Sequence, residues 1–242
     1  MAQLEPMASF DGRLAPGDFV LDRKRPAALQ VYDHLHERIV SLEIAPGTSL
    51  SRPGLAEQYR ISQTPIRDAI QKLEQDGLVE IYPQSRTLVA RIDVAEARQT
   101  HFLRMALELE IVRSLTLAGR PEALGGAREA LERQESAARS ADIDRFAVLD
   151  RLFHRSLFEA DGHGALWELV RLRSGHLDRI RRLDLPTHGK MRRIVDEHHA
   201  ILRAVAAGDA DAAKSTVRRH LAGADGTLAS ISEIVARNPD YF

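Results

Sequence analysis

Four side chains in the second half of the sequence could together bind a metal ion. Asp150 and His154 are four residues apart in a segment with helical periodicity, so both project from one face of a helix. His198 and His220 lie in two later helical segments. Three neutral imidazoles and one carboxylate suit a divalent ion such as zinc, nickel, manganese or iron. The spacing alone, however, favours an ordinary solvated Asp–His pair over a metal site.

Arg104 could bind an anion. It lies in the mostly apolar helical segment FLRMALELE, and a guanidinium there can bind a carboxylate through two parallel hydrogen bonds. The alternative is an ion pair within the helix, with Glu108 four residues later. His176 could line the cavity that holds this anion, as could Arg173 or Arg179. A core or surface role is more common for each of them.

Residues 50–78, LSRPGLAEQYRISQTPIRDAIQKLEQDGL, predict two short helices joined by a tight turn. Apolar residues recur along one face of the second helix at Ile66, Ala69, Ile70 and Leu73. Ser62 can cap this helix with its hydroxyl, and Gly77 can end it in a left-handed conformation. At its start, where a recognition helix meets the major groove, stand Gln63, Thr64 and Arg67.

A helix and a β-hairpin flank this pair. Pro26–Leu42 has apolar residues at spacings of three and four, which predicts the first helix. Residues 78–92 alternate between apolar and polar on both sides of Pro83–Arg86, which predicts a hairpin. Helix, helix–turn–helix and hairpin together make a winged helix-turn-helix.

The charge of this region argues against DNA binding unless it is unevenly distributed. Residues 27–92 contain seven Arg and Lys residues against eight Asp and Glu residues. Because a DNA-binding protein needs local positive charge to meet the phosphates, the cations must share one face, and the candidates are Arg52, Arg67, Lys72 and Arg86. The predicted DNA-contacting set is Arg52, Gln63, Thr64, Arg67, Gln84 and Arg86.

From Asp93 onward helical periodicity is nearly continuous and no further strand is indicated. Breaks divide this half into six helices, or seven if the break at Gly223–Gly226 is real. The predicted fold is therefore mainly α, with an N-terminal winged helix-turn-helix carrying a small β-hairpin wing. The C-terminal half is predicted to be an antiparallel all-α bundle with room for a site between facing helices.

The composition is that of a globular protein, with 242 residues, 44% hydrophobic and 29% charged. No apolar run approaches the roughly 18 residues of a transmembrane helix, and no signal peptide is evident. The chain has no cysteine, which excludes disulfides, cysteine-bound zinc and thiol catalysis and fits a reducing compartment. We therefore expect a cytoplasmic protein with no membrane partner.

The sequence resembles two known domain families. APG at Ala45–Gly47, SQTPIRDAI at Ser62–Ile70 and LEQDGLVE at Leu73–Glu80 resemble the GntR family of bacterial transcription regulators. FLRMALELE, LDRLFHRSLFEADGH and EHHAILRAVAAGDADAAKSTVRRHL resemble the ligand-binding FCD domain of its FadR branch. Six helices in the second half would indicate the shorter, VanR-like subgroup. The resemblance implies a homodimeric regulator, usually a repressor, that binds a pseudo-palindromic operator in double-stranded DNA and responds to a small organic acid.

The resemblance also assigns residues. Its metal set, an Asp and a His on one helix and a His on each of two later helices, corresponds to Asp150, His154, His198 and His220. It favours His198 over the adjacent His199, favours zinc first among the metals, and gives Arg104 a carboxylate-binding role. The domains expected are a flexible tail at 1–25, a DNA-binding domain at 26–92, and an effector-binding and dimerisation domain at 93–242.

At two places the sequence differs from many members of the family, and both places are predicted to contact the operator. Many relatives have Arg where this chain has Gln63, and Gln pairs with adenine where Arg pairs with guanine. The wing tip Pro83–Arg86 replaces a glycine-rich tip. We therefore expect an operator that differs from those of better-known relatives.

Two other functions remain open from the sequence. A metal-dependent enzyme acting on a small carboxylic acid is the first, because a metal site of this kind can activate water, although no general base stands out near the ligands. An interaction scaffold that binds neither metal nor operator is the second.

Overall fold

The structure, a computed structural model, describes residues 9–10, 19–83, 86–222 and 231–242. The chain divides into two compact units. The winged-helix unit comprises the chain up to Asp93 together with Asn238–Phe242, and the helical unit comprises Val94–Arg237. None of the described helices is long and apolar enough to cross a bilayer.

The described residues of the winged-helix unit form three α-helices, a short 3-10 helix (Pro239–Tyr241) and a small sheet. The α-helices are α1 (Ala27–Val40), α2 (Arg52–Tyr59) and α3 (Gln63–Gln75), and the strands are β1 (Ser9–Phe10), β2 (Ser49–Leu50), β3 (Val79–Tyr82) and β4 (Arg86–Val89). The strand order is β1-β2-β4-β3. The wing is the antiparallel β3–β4 hairpin, with Val79 opposite Val89 and Tyr82 opposite Arg86.

The helix–turn–helix forms where the sequence predicts it. Helix α3 buries Ile66, Ala69, Ile70 and Leu73 against the core. Gly77 ends the α3 segment with a φ of +72°, in the left-handed region that glycine favours. Ser62 precedes α3, but its hydroxyl makes no capping hydrogen bond, so that expectation was wrong. Ser62 is exposed, and water can satisfy the first amides of α3 instead.

The segment just before α1 is docked rather than mobile. Gln30 is 5% exposed, and its side-chain amide donates to the carbonyls of Asp22 (2.8 Å) and Arg25 (2.9 Å). The Asp22 N–H donates in turn to the Gln30 Oε1 at 2.8 Å. The flexible tail predicted for residues 1–25 therefore does not include 19–25, because one buried amide satisfies three of their backbone groups. Most of the remaining tail lies outside the described residues.

The last residues of the chain pack on the winged-helix unit. The Ile92 N–H donates to the Tyr241 carbonyl at 2.7 Å, and Arg91 Nη1 donates to the Phe242 carbonyl at 2.8 Å. The segment that follows β4 is thus held by residues that lie after the helical unit in sequence.

The helical unit is an all-α bundle, as predicted. Its helices are α4 (Val94–Ala118), α5 (Gly125–Arg139), α6 (Ile143–Ala160), α7 (Gly164–Arg173), α8 (Gly175–Asp184), α9 (Lys190–Ala206), α10 (Ala210–Ala222) and α11 (Ile231–Arg237). The long helix α4 is central and packs against α6, α7, α8, α9 and α10, while α5 packs against α6 and α9.

The described part of the helical unit has eight helices rather than six or seven. The additional break falls at Ser174, between α7 and α8. Two hydroxyl groups stabilise it, because Ser174 Oγ donates to the Val170 carbonyl (2.8 Å) and Thr100 Oγ1 donates to the Arg173 carbonyl (2.9 Å). The second of these contacts is distant in sequence and leaves no local signal. The break considered at Gly223–Gly226 lies outside the described residues.

Gly119 and Gly125 offer a matched test of backbone strain. Gly119 has a φ of +62°, Gly125 has a φ of −52°, and a Cβ at either position would meet nothing within 4 Å. We expect Gly119→Ala to lower the free energy of unfolding by about 1–2 kcal/mol, because L-residues are strained in the left-handed region. Gly125→Ala should raise it by about 0.4–1 kcal/mol. Chemical denaturation followed by circular dichroism measures both, and equal stability of the two variants would contradict the expectation.

Candidate metal centre

Asp150, His154, His198 and His220 form one buried cluster, with one potential ligand atom from each lying within 4.8 Å of the others. Asp150 and His154 lie on α6, His198 on α9 and His220 on α10. The His220 Nε2 is 3.2 Å from both the His154 Nε2 and the His198 Nε2. The Asp150 Oδ1 is 3.7 Å from the His198 Nε2.

Each imidazole of the cluster has its other ring nitrogen, Nδ1, against a side-chain oxygen. The pairs are His154 with Glu108 Oε2 (2.7 Å), His198 with Gln134 Oε1 (2.8 Å) and His220 with Glu197 Oε2 (2.8 Å). These oxygens accept hydrogen bonds, so we assign the ring proton to Nδ1 in all three histidines. Each Nε2 then presents its lone pair to the centre of the cluster.

The cluster fits a four-coordinate metal ion. Ligand atoms held tetrahedrally at about 2.0–2.2 Å from zinc lie about 3.3–3.6 Å apart, which matches the 3.2 Å and 3.7 Å separations closely. Three converging lone pairs and a carboxylate would repel one another without a cation between them. Outer oxygens that orient each imidazole are also typical of protein metal sites.

The protonation states suit metal binding. Burial lowers the pKa of His154 to about 4 and that of His198 well below its ordinary value, so both imidazoles are neutral near pH 7. Burial alone would raise the pKa of Asp150, but Arg181 and the nearby histidines hold it well below its usual range. Arg181 Nη2 donates to Asp150 Oδ2 at 2.8 Å. His154, His198 and Asp150 are therefore in the forms that coordinate metals.

Arg104 forms the ion pair expected within its helix and keeps one donor free of a partner in the described part of the chain. It is 3% exposed, and its Nε donates to Glu108 Oε1 at 2.6 Å, the ion pair within α4. Its Nη2 is also buried and has no hydrogen-bond partner among the described residues. Because an unsatisfied buried donor costs about 1–3 kcal/mol, this atom is a candidate contact for an anion. The guanidinium lies 5.9 Å from the Trp167 ring, which also stacks on His154.

The other candidate histidines lie outside the cluster. His176 is buried on α8, with its Nδ1 3.0 Å from Arg179 Nη2. His199 is partly exposed, and its Nε2 lies 2.6 Å from Glu135 Oε1. The structure thus brings His198 into the cluster and leaves its neighbour at the surface of α9.

Sequence reasoning did not assign four supporting residues to the site: Glu108, Gln134, Arg181 and Glu197. Glu197 directly precedes His198, and Glu108 follows Arg104 by four, so adjacency and helical spacing could have indicated both. Gln134 and Arg181 contact partners that are remote in sequence, and no local pattern indicates them.

The predicted recognition residues are accessible. Gln63, Thr64 and Arg67 are all exposed in the first turns of α3. Arg86 is exposed at the wing, with its guanidinium 5.3 Å from the Tyr82 ring.

The remaining candidates for DNA contact differ in position. Arg52 is the first residue of α2 and is partly buried, while Gln84 lies outside the described residues. The Lys72 Nζ sits 4.0 Å from the centre of the Tyr32 ring. Lys72 therefore lies on the side of α3 that faces α1 and does not join Arg67.

Both halves of the chain match family models. Residues 27–89 match the model described as bacterial regulatory proteins, gntR family, and residues 99–223 match the FCD domain. Together these matches cover most of the chain.

Curated relatives are similar over nearly their whole length. An uncharacterized HTH-type transcriptional regulator in an unstable DNA locus of Streptomyces ambofaciens is 35% identical over 212 residues, which is 88% of each chain. The HTH-type transcriptional repressor RspR of Escherichia coli K12 is 28% identical over 222 residues, covering 92% of this chain and 96% of RspR.

Solved structures share the fold. E. coli McbR/YncC has a TM-score of 0.72 at 20% identity, covering 87% of this chain and 98% of that one. A putative GntR regulator from Rhodococcus sp. RHA1 has a TM-score of 0.70 at 21% identity, covering 86% and 97%. The matched family and the curated relatives are transcription regulators, which favours a regulator over the metal-dependent enzyme. The chain belongs to the GntR family of bacterial transcription regulators, with an FCD domain that follows its winged helix-turn-helix in sequence.

Proposed function

We propose that this protein is a cytoplasmic repressor whose operator binding is controlled by a small organic acid. The acid would bind beside a divalent ion, zinc first, held by Asp150, His154, His198 and His220. The observation that carries this proposal is the convergence of three Nε2 lone pairs and one carboxylate at metal-ligand distances. The RspR relative is named a repressor, which supports the direction of regulation.

The unsatisfied donor of Arg104 supports an anionic effector. The Arg104 side chain is buried and its Nε pairs with Glu108, but its Nη2 has no hydrogen-bond partner among the described residues. Because an unsatisfied buried donor is costly, the carboxylate of an effector that accepts a hydrogen bond from Nη2 would stabilise the site.

The site is placed so that a ligand can favour one packing of the bundle. Arg104 lies on α4, while the four metal-binding candidates lie on α6, α9 and α10. An acid that contacts both Arg104 and the ion would therefore link four helices. A ligand shifts a conformational equilibrium only by its differential affinity for the two states. An acid that links these four helices would bind one packing of the bundle more tightly than another.

Operator recognition should require two copies of the chain. A single recognition helix contacts few base pairs, so a two-fold dimer on a pseudo-palindrome is the arrangement that gives useful specificity. We propose that Arg67, Thr64 and Gln63 contact base edges, with Arg52, Arg86 and Gln84 nearer the phosphates.

Arg67→Ala should weaken operator binding by about 1–3 kcal/mol at fixed salt, because it removes one charge-assisted contact. Arg133→Ala is a matched control on α5. Arg67 is 59% exposed and 3.6 Å from Asp68, while Arg133 is 52% exposed and 3.8 Å from Glu129. Fluorescence anisotropy with labelled operator measures both variants. Unchanged affinity in Arg67→Ala would refute its place on the DNA-reading face.

We expect the protein to be a dimer at micromolar concentration, because operator recognition should require two copies of the chain. Sedimentation velocity, with and without operator, should give the mass of two chains, and two chains should bind per pseudo-palindrome. A species that stays monomeric in both conditions would remove the dimer from the proposal.

Two variants separate the metal from the acid. His220→Ala should reduce metal retention and with it acid binding, whereas His199→Ala, at a partly exposed neighbour of the cluster, should change neither. Arg104→Ala should retain the metal and weaken only the acid, by about 1.5–3 kcal/mol for a hydrogen bond to a charged group. Elemental analysis and calorimetry with a panel of carboxylates measure these effects. Full acid affinity in Arg104→Ala would show that the acid does not use this guanidinium.

A further inference from the structure

One buried carboxylate contacts both parts of the proposed site. Glu108 is 1% exposed. Its Oε1 accepts from Arg104 Nε at 2.6 Å, and its Oε2 accepts from His154 Nδ1 at 2.7 Å. Arg104, which has a spare donor for an acid, and His154, which faces the metal position, therefore share one carboxylate partner.

The other two imidazoles lack this arrangement. His198 is supported by the uncharged amide of Gln134. His220 is supported by Glu197, whose nearest cation is Arg193, at 3.9 Å and 40% exposed. Among the three imidazoles of the described cluster, only His154 shares a carboxylate with a buried arginine. The other arginine at the cluster, Arg181, pairs with the ligand candidate Asp150 and not with an imidazole partner.

We propose that Glu108 is a positioning residue that couples acid binding at Arg104 to metal binding at His154. The proposal rests on the function proposed above and adds a second route of coupling. In that function the acid and the metal meet directly, by coordination. Here they also influence each other through Arg104, Glu108 and His154, whether or not the acid touches the ion.

The direction of the coupling follows from competition for Glu108. An acid bound at Arg104 Nη2 shares the guanidinium charge, so Arg104 attracts Glu108 less strongly. Glu108 then accepts a stronger hydrogen bond from His154, which makes the opposite ring nitrogen a better metal ligand. By linkage, a bound metal must raise the affinity for the acid by the same factor.

Glutamine at position 108 tests this directly. Arg104 and His154 each donate to a different oxygen of Glu108. A glutamine would place its oxygen at one of these positions and its NH₂ donor at the other, so one of the two contacts would become a donor facing a donor. Glu108→Gln should therefore weaken zinc binding and also abolish the coupling. Glu197→Gln is the matched control, because it makes the same chemical change at an imidazole that shares no counter-ion with Arg104. It should weaken zinc binding and leave the coupling unchanged.

The probes are Zn²⁺ and acetate, the simplest carboxylate with a methyl group. The zinc affinity of the full-length protein is measured by competition with a chelating indicator at low and high acetate, with chloride holding the ionic strength constant. Acetate should raise the zinc affinity of the wild type roughly five-fold or more. Either glutamine variant should lower zinc affinity itself by roughly 10–100-fold.

The outcomes distinguish this inference from the function on which it rests. Coupling that is present in wild type and in Glu197→Gln but lost in Glu108→Gln supports the role of Glu108. Coupling of wild-type size in Glu108→Gln overturns that role and leaves direct coordination as the link. Loss of coupling in both glutamine variants also overturns it, since the effect would not be specific to Glu108. Absence of any acetate effect in wild type would contradict the coupled site altogether.

Glu108→Asp is a second variant in case the glutamine leaves Arg104 without a counter-ion and impairs folding. It retains the negative charge, but its shorter side chain cannot contact Arg104 and His154 together. Circular dichroism should show a folded protein, and the acetate effect should again fall. An undiminished acetate effect in a folded Glu108→Asp protein would overturn the proposal as well.

Discussion

Three imidazole nitrogens that present lone pairs to one another inside a protein need a positive charge between them. His154, His198 and His220 create this situation on three helices, and Phe153 stacks on His198 with ring centroids 3.8 Å apart. The bundle around them is arranged to orient these nitrogens, since α4, α5 and α9 each supply an oxygen to a ring N–H. A metal bound here would therefore stabilise the packing of the helical unit as well as serve a ligand.

The winged-helix unit must bind negatively charged DNA although it contains more acidic than basic residues. Its excess of acidic residues would oppose DNA, but several of them pair with groups of the same unit. Asp76 accepts from the Tyr32 hydroxyl, Glu43 pairs with Arg38, and Asp33 pairs with Arg25. The cations proposed to meet DNA remain exposed on α3 and the wing. Net charge is therefore a poor guide to the field at a particular face.

The sequence predicted those features that depend on local spacing. The apolar face of α3 and the left-handed Gly77 follow from helical period and backbone sterics, and both were confirmed. The grouping of Asp150 with three histidines needed the family resemblance, because spacing along one helix says nothing about distant helices. The docking by Gln30 and the break at Ser174 depend on contacts that only the folded chain makes. Gln134 and Arg181 were missed for the same reason.

The final residues of the chain complete a unit that begins at the other end. Arg91 and Phe242, which are hydrogen-bonded to each other, stand 151 positions apart, and the whole helical unit is translated between them. The buried core of the winged helix is formed by residues between Val31 and Val89, so it can form as this part of the chain emerges from the ribosome. The contacts of Arg91 and Ile92 with Phe242 and Tyr241 close a loop that spans the helical unit, and they form later. A group attached to Phe242 would therefore lie next to the winged helix, although Phe242 follows the FCD domain in sequence.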